Sequence, residues 1–134
     1  MMSAREMPEE QAGPDSRAEA RSILVVEDEV IVRMALADEL RRAGYAVIEA
    51  ANADEALQVL CHTDHVRLVI SDIRMPGGMD GLDLAREVRS QFPNLKVVLA
   101  SAERADLDRV DHHGFFRKPY RLAELLGHIK NLIG

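Results

Sequence analysis

Short continuous apolar runs, separated by amphipathic stretches, most constrain the fold of this sequence. The first run, ILVV (Ile23–Val26), is followed by apolar residues at helical spacing, which are Val32, Leu36, Leu40 and Ala43, and Gly44 ends the pattern. The same order then repeats along the chain. Further strands are predicted at Tyr45–Ala50, Leu68–Ser71, Lys96–Ala100 and Phe115–Phe116, and further helices at Ala53–Cys61, Leu82–Phe92 and Arg121–Ile133.

Strands that are apolar throughout, alternating with helices, indicate a parallel sheet whose two faces are both covered. The pattern therefore predicts an α/β fold with a doubly wound five-stranded parallel sheet. Asn52, with Glu55 three residues on, is typical of a helix N-terminus. The segment Ala102–Gly114 has few apolar residues where a fourth helix belongs, so we expect that helix to be short or irregular.

Length and composition favour one soluble domain. The chain has 134 residues, 47% of them hydrophobic, and a net charge of −6, which gives no general attraction to nucleic acid or anionic membranes. No run approaches the roughly 20 apolar residues of a membrane span. Residues 1–21 are polar and contain little that could pack, so we expect a flexible tail before a domain over residues 22–134. The single cysteine, Cys61, has no disulfide partner in the chain; we expect it to be buried and the protein to be cytoplasmic.

Polar side chains follow four of the predicted strands. Glu27 and Asp28 come after the first strand, Asp72 after the third, Ser101 after the fourth and Lys118 after the fifth. In open parallel sheets, ligands bind outside the carboxyl ends of the strands. Taken singly, each of these residues is as readily a helix cap, a turn residue or a solvated charge. Because all of them are expected at the same edge of the sheet, together they predict a ligand-binding site there.

The predicted carboxylate cluster indicates a divalent metal. Carboxylates that lie close together raise one another's pKa unless a cation is present, and Mg²⁺ takes one or two carboxylates together with substrate phosphate. Asp28 and Asp72 suit that role directly, with Glu27 acting through water. With Mg²⁺ and Lys118 neutralising the oxygens of a transferring group, Asp72 can attack phosphorus and form an aspartyl phosphate.

Four motifs resemble the receiver domains of two-component response regulators, and the resemblance extends from about Ile23 to Ile133. They are ILVVEDE, LVISDIRMPGGMDG, VVLASAE and FFRKPY. The resemblance implies a flavodoxin-like sheet with strand order 2-1-3-4-5. It also implies that Asp72 accepts phosphate from a phosphohistidine, supplied by a sensor histidine kinase or a histidine phosphotransfer protein. The phosphorylated protein would then switch its binding to a separate partner, or relay the phosphate.

The same resemblance implies roles for individual residues. Asp28, Asp72 and the backbone carbonyl of Arg74 would bind Mg²⁺, and Lys118 would pair with the site. Ser101 would hydrogen-bond the phosphoryl group. Phe115 falls on the aromatic switch position, where it can change packing but lacks the hydroxyl of the Tyr often found there.

The sequence departs from the family pattern in two places. The chain between Ser101 and Lys118 is several residues shorter than is typical, which puts the usual output face in doubt. The loop PGGMDG has one residue more than the common PGMDG, which we expect to shift Met79 and Asp80 without affecting Asp72. Near these loops, Arg74 and Glu103 each lie two residues beyond a site residue. We expect them to pair across the site and modulate it, the alternative being two independent solvated side chains.

The same residues bear on the choice between a receiver and other functions. We expect a stand-alone receiver, because no second domain follows Gly134, and a domain that catalyses only its own phosphorylation and dephosphorylation. A phosphatase with an aspartate nucleophile would need a second Asp where Arg74 stands, and a receiver that ignores phosphate would not need the intact polar set. The histidines show no metal-ligand spacing and are expected to be exposed. The apolar stripe of the last helix predicts core packing, with a homodimer as the alternative.

Overall fold

A computed structural model of the protein describes residues 22–105 and 107–134. The predicted tail, residues 1–21, lies outside the described residues and stays a prediction. None of the described helices has the length and apolar character needed to cross a bilayer.

The described residues form a five-stranded parallel sheet. Its strands are β1 (Ser22–Val26), β2 (Val47–Ala50), β3 (Val66–Asp72), β4 (Lys96–Ser101) and β5 (Phe115–Arg117), in the order β2-β1-β3-β4-β5. The predicted fold class and strand order are therefore confirmed. β3 lies at the centre of the sheet, so its carboxyl end is flanked by strand ends on both sides.

Four α-helices in the described residues cover the two faces of the sheet. They are α1 (Val30–Arg42), α2 (Ala53–His62), α3 (Gly81–Gln91) and α4 (Leu122–Ile133). Alternate residues of β1 point to opposite faces: Leu24 and Val26 join the core beneath α2 and α3, whereas Ile23 and Val25 join the core beneath α1 and α4. Burial on both faces explains why Ile23–Val26, 68–70 and 97–100 are apolar without alternation.

The ends of the helices follow from local chemistry. Asn52 caps α2 as predicted, because its side-chain oxygen accepts a hydrogen bond of 2.9 Å from the backbone N–H of Glu55. Asp80 and Asp83 form a reciprocal capping box at the start of α3. Beyond the end of α1, Gly44 adopts a positive φ of 102°, a conformation that favours glycine.

Two expectations about single positions differ from the structure. The second strand begins at Val47 rather than Tyr45, because Tyr45 packs its ring into the core beneath α1 and α4 without joining the ladder. Cys61 was expected to be buried and is exposed. In α2 the buried positions are Ala53, Ala56 and Leu60, so the residue after Leu60 points away from the sheet.

The segment between β4 and β5 confirms the expected short or irregular fourth helix. Its described residues form only one 3₁₀ turn, Leu107–Arg109. Ala105, Leu107 and Val110 are the apolar residues of this segment that pack on the core. An α-helix in this position would bury a continuous apolar stripe, which the sequence does not supply.

Histidines anchor the end of this segment, contrary to the expectation that they would be exposed. The backbone N–H of Val97 donates to His113 Nδ1 over 3.0 Å, and the N–H of His113 donates to the Val97 carbonyl over 2.6 Å. His128 of α4 hydrogen-bonds through Nε2 to the His113 carbonyl and stacks edge-on against Phe116. His112, His113 and His128 are consequently half-buried.

The apolar stripe of α4 packs against the sheet, as expected. Leu125 and Ile129 are buried, and Leu126, Leu132 and Ile133 pack against the same core. A homodimer formed through this helix stays a prediction.

Candidate functional site

Three carboxylates meet at the carboxyl edge of the sheet. Glu27 and Asp28 follow β1 directly, and Asp72 is the last residue of the neighbouring β3. One side-chain oxygen from each of the three lies within 4.8 Å of the others. The topology thus brings together residues that are 45 positions apart in the sequence.

Lys118 places its ammonium group between two of these carboxylates. Its Nζ lies 2.9 Å from Glu27 Oε1 and 3.3 Å from Asp72 Oδ1. The backbone positions the side chain, because the N–H of Lys118 donates to the Ser101 carbonyl over 2.9 Å. The Glu27 side chain is 7% exposed and the Lys118 side chain 25%, so this ion pair is partly shielded from solvent.

Burial governs the electrostatics of the cluster. Desolvation raises the pKa of Asp72, and the charge and hydrogen bond of Lys118 only partly oppose it. Desolvation likewise raises the pKa of Glu27, against the hydrogen bonds from Lys118 and the Glu29 N–H. For Lys118, burial alone would lower the pKa, but the hydrogen bond to Glu27 and the charge of Asp72 outweigh it and raise the pKa. Burial therefore disfavours the ionised forms of Glu27 and Asp72, and the ammonium of Lys118 offsets this only in part.

The donor set fits a hard divalent cation. Glu27, Asp28 and Asp72 offer only oxygen ligands, and a further cation beside them would favour the ionised forms of Glu27 and Asp72, whose pKa values burial raises. Mg²⁺ prefers such ligands and keeps part of its water shell. The participation of the Arg74 backbone carbonyl stays a prediction.

Ser101 ends β4, the strand next to β3, and Phe115 begins β5, the strand after that. Asp72 pairs in register with Ala100, so Ser101 stands one residue beyond the level of Asp72. Ser101 is 1% exposed, and its Oγ accepts a hydrogen bond of 3.2 Å from the Glu103 N–H. Phe115 pairs with Leu99 and packs, half-buried, against the core beneath α2 and α3. Their switching roles stay predictions.

Arg74 and Glu103 form the expected ion pair over the loops that border the site. Arg74 Nη2 bonds to Glu103 Oε1, with the two side chains 68% and 61% exposed. The pair joins the loop after β3 to the loop after β4. An exposed pair of this kind contributes only about 0–1 kcal/mol to stability. The modulating role of the pair stays a prediction.

The sequence analysis assigns no role to two residues that lie near the site. Tyr120 lines a small cavity together with Asp72 and Lys118, and burial raises the pKa of its hydroxyl. Its position two residues after Lys118 was the only available signal. Arg33, on α1, donates through Nη1 to the Glu27 carbonyl over 2.7 Å. No sequence spacing indicates a side chain that reaches backwards to a strand end.

Comparison with known proteins gives consistent matches. The model of the family described as response regulator receiver domain matches residues 23–130. The sensor kinase CckA of Brucella abortus is 36% identical over 118 residues, and the transcriptional regulatory protein PdtaR of Mycobacterium tuberculosis is 36% identical over 122 residues. These matches cover 84% and 85% of the chain but 12% and 58% of the respective relatives, so the chain spans only part of their length.

A solved structure with the same architecture carries a ligand. The response regulator protein TrrA of Thermotoga maritima, crystallised in complex with Mg²⁺-BeF, superposes with a TM-score of 0.77 at 36% identity. The match covers 84% of this chain and 98% of that one.

Proposed function

The chain belongs to the response regulator receiver family, and from that premise we propose that it accepts a phosphoryl group on Asp72. Receiver domains are signalling domains that interact with histidine kinases or phosphotransfer proteins. The observation that carries the proposal is the contact of one ammonium, on Lys118, with both Glu27 and Asp72 beside the carboxylate of Asp28. That arrangement suits neutralisation of a phosphoryl group in transfer.

The proposed reaction moves one phosphoryl group between two side chains. A carboxylate oxygen of Asp72 attacks phosphorus, the P–N bond of a phosphohistidine breaks, and its electron pair returns to the imidazole nitrogen. Lys118 binds an oxygen of the group in transit. Bound Mg²⁺ would supply further charge neutralisation, held by Asp28, Asp72, the Arg74 carbonyl and, through water, Glu27. The Mg²⁺-BeF complex of the related TrrA protein supports this assignment.

Readout is proposed to begin at Ser101. A hydroxyl that accepts a bond from the Glu103 N–H still has its own hydrogen to donate, and a phosphoryl group on Asp72 supplies strong acceptors. Movement of Ser101 towards that group would shift the loop after β4. Phe115 would follow by repacking in the adjoining core, without a polar contact of its own.

Arg74 and Glu103 are proposed to modulate the lifetime of the aspartyl phosphate. Their ion pair bridges the two loops that flank Asp72, and we expect it to restrict the approach of hydrolytic water. An enzyme that resembles haloacid dehalogenases would have an acidic residue in place of Arg74. The engaged guanidinium therefore favours a slow switch over a phosphatase.

The donor is proposed to be a sensor histidine kinase or a histidine phosphotransfer protein in the cytoplasm. The output is proposed to be binding to a separate protein, or relay of the phosphate, rather than direct contact with nucleic acid. The net charge of −6 supports the last point, since nucleic acid would be repelled.

The test is intact-mass measurement after incubation with Mg²⁺ and acetyl phosphate. Wild type should gain the mass of one phosphoryl group, and Asp72→Asn should gain none. Asp38→Asn removes an exposed carboxylate from α1 and should behave as wild type. An adduct in neither wild type nor Asp38→Asn would identify a receiver that ignores phosphate. Rapid turnover of unrelated phosphate esters would identify a phosphatase instead.

A further inference from the structure

The turn between β1 and α1 carries two of the candidate metal ligands but lacks the usual helix cap. α1 begins at Val30, its N-cap Glu29 makes no side-chain capping bond, and its first turn contains no acidic residue. A side-chain cap or an acidic first turn would ordinarily fix the start of such a helix. Two backbone donors of the turn have partners, since the Glu27 N–H donates to the Ala50 carbonyl over 3.1 Å and the Glu29 N–H donates to Glu27 Oε2 over 3.2 Å. The Glu27 carbonyl needs a contact of its own.

Arg33 supplies that contact from inside α1. Its Nη1 donates to the backbone carbonyl of Glu27 over 2.7 Å, while its own backbone N–H donates to the Glu29 carbonyl over 2.9 Å. The two bonds close the turn from the helix side. Only 15% of the Arg33 side chain is exposed, so the charged hydrogen bond is partly shielded from water.

Glu49 fixes the guanidinium of Arg33 in turn. Glu49 Oε1 lies 3.3 Å from Arg33 Nε, and Glu49 Oε2 lies 3.3 Å from Arg41 Nη2. Arg41 also donates to the Val47 carbonyl over 3.2 Å. Since Glu49 stands on β2 in register with Val25 of β1, the whole chain of contacts is anchored to the sheet beside the turn.

We infer that Arg33 is a positioning residue for the metal site, one that holds the backbone of the turn so that Asp28 faces Asp72. Arg33 bonds to a carbonyl and to Glu49, so it does not occupy the carboxylates that a cation would need. The inference rests on the proposed Mg²⁺-dependent function. Outer contacts that orient metal ligands commonly change metal affinity by about 10–100-fold when removed.

The direction in which the Mg²⁺ dissociation constant changes on removal of Arg33 distinguishes a positioning role from a simple effect of its charge. A nearby positive charge repels Mg²⁺, so removing Arg33 would tighten Mg²⁺ binding if only its charge mattered. If Arg33 positions the turn, its removal weakens binding. Arg33→Met keeps most of the aliphatic stem and removes the guanidinium. Arg42→Met is the matched control, because Arg42 lies on the same helix, pairs only with Glu39 among the contacts described, and is 71% exposed.

The experiment measures Mg²⁺ dissociation constants by calorimetric titration, with folding of each variant checked by circular dichroism. We expect Arg33→Met to raise the constant about 10-fold and Arg42→Met to leave it within about twofold of wild type. Amide hydrogen exchange without metal is the second measurement. It should be faster at Asp28 and Glu29 in Arg33→Met, which a loss of metal ligation alone would not produce.

A second variant covers the case in which Arg33→Met fails to fold. Arg33→Lys keeps the positive charge but loses the planar fork that bonds to the Glu27 carbonyl and to Glu49 together, so it should raise the constant by a smaller factor in the same direction, whereas a pure charge effect would leave the constant unchanged. An unchanged or lower constant in the folded variant would overturn the inference while leaving the proposed function intact. Absence of Mg²⁺ binding in wild type would overturn the metal-dependent function and the inference with it.

Discussion

Lys118 Nζ lies 3.3 Å from Asp72 Oδ1, across the gap between the end of β3 and the turn after β5. The same ammonium is held on its other side by Glu27 at 2.9 Å. Lys118 is therefore held beside Asp72, the proposed acceptor, so the proposed transfer would not require this contact to be assembled first.

Replacing Lys118 should abolish most of the phosphorylation without removing the acceptor. We expect Lys118→Met to lower the rate of phosphorylation by acetyl phosphate about 100-fold, because a prepositioned donor to the transferring oxygens is lost. The rate is measured by intact mass over time. Lys130→Met removes an exposed lysine from α4 and should leave the rate unchanged; equal rates in the two variants would contradict the proposed role of Lys118.

The ion pair between Arg74 and Glu103 should lengthen the life of the aspartyl phosphate. Arg74→Ala opens the space between the two loops to water, so the phosphorylated form should decay several-fold faster, while stability changes by less than about 1 kcal/mol. Decay is followed by intact mass after removal of the phosphodonor. Arg104→Ala, on the same loop as Glu103, serves as the control. A decay rate that does not change in Arg74→Ala removes the modulating role.

Acidification should destabilise the protein through His113. Burial lowers the pKa of His113 from 6.5, with further lowering from the charges of Arg89, Lys96 and His112. The unfolded chain therefore binds the proton at a higher pH than the folded one does. The contribution of neutral His113 is complete above about pH 6.5 and is lost as the pH falls through that value towards the lower folded pKa.

Urea unfolding at pH 7.5 and pH 5.5 measures this dependence. His113→Gln should reduce the difference in unfolding free energy between the two pH values. His62→Gln, which changes an exposed histidine at the end of α2, should preserve it. An identical pH dependence in wild type and His113→Gln would rule out His113 as its source.

Gly81 should tolerate no side chain. A Cβ added there would lie 2.3 Å from the Asp72 carbonyl oxygen and 2.6 Å from Ile73 Cα, so the backbone at the end of β3 would have to shift. We expect Gly81→Ala to lower the free energy of unfolding by about 1–3 kcal/mol and to slow phosphorylation of Asp72. Chemical denaturation and the mass assay measure the two effects.

Gly127 provides the matched control for that substitution. An added Cβ at Gly127 meets nothing within 4 Å, and the residue lies in the interior of α4. Gly127→Ala should therefore stabilise the protein by about 0.5–1 kcal/mol. Equal effects of the two substitutions would show that backbone crowding at Gly81 is absent.

The fold was predictable because a strand buried on both faces has apolar residues at successive positions, and this pattern is visible in the sequence. Val25 and Val26 point to opposite faces and are both apolar, which only a covered parallel strand requires. Cys61 was misjudged because a helix residue adjacent to a buried Leu60 carries no equivalent constraint. The histidine contacts were also unpredictable, since an imidazole that bonds to the backbone of a neighbouring strand, as His113 does to Val97, has no fixed spacing in the sequence.

The candidate site was predictable to the extent that it follows from topology. Parallel strands end on one edge, so Asp28, Asp72 and Lys118 had to converge once the strand order was known. The ion pair of Arg74 with Glu103 followed from the same argument. The support that Arg33 gives to Glu27 did not, because it depends on the rotamer of a long side chain rather than on the placement of a strand end.

Asp72 terminates a strand that is hydrogen-bonded to neighbours along both of its sides. Such a strand belongs to the part of a domain whose amides exchange only on global unfolding. Asp72, the proposed acceptor, thus stands where the central strand gives way to the loop that follows it. A charge added at that boundary has the rigid sheet on one side and loops on the other. We therefore expect it to displace the loops and to leave the strands in place.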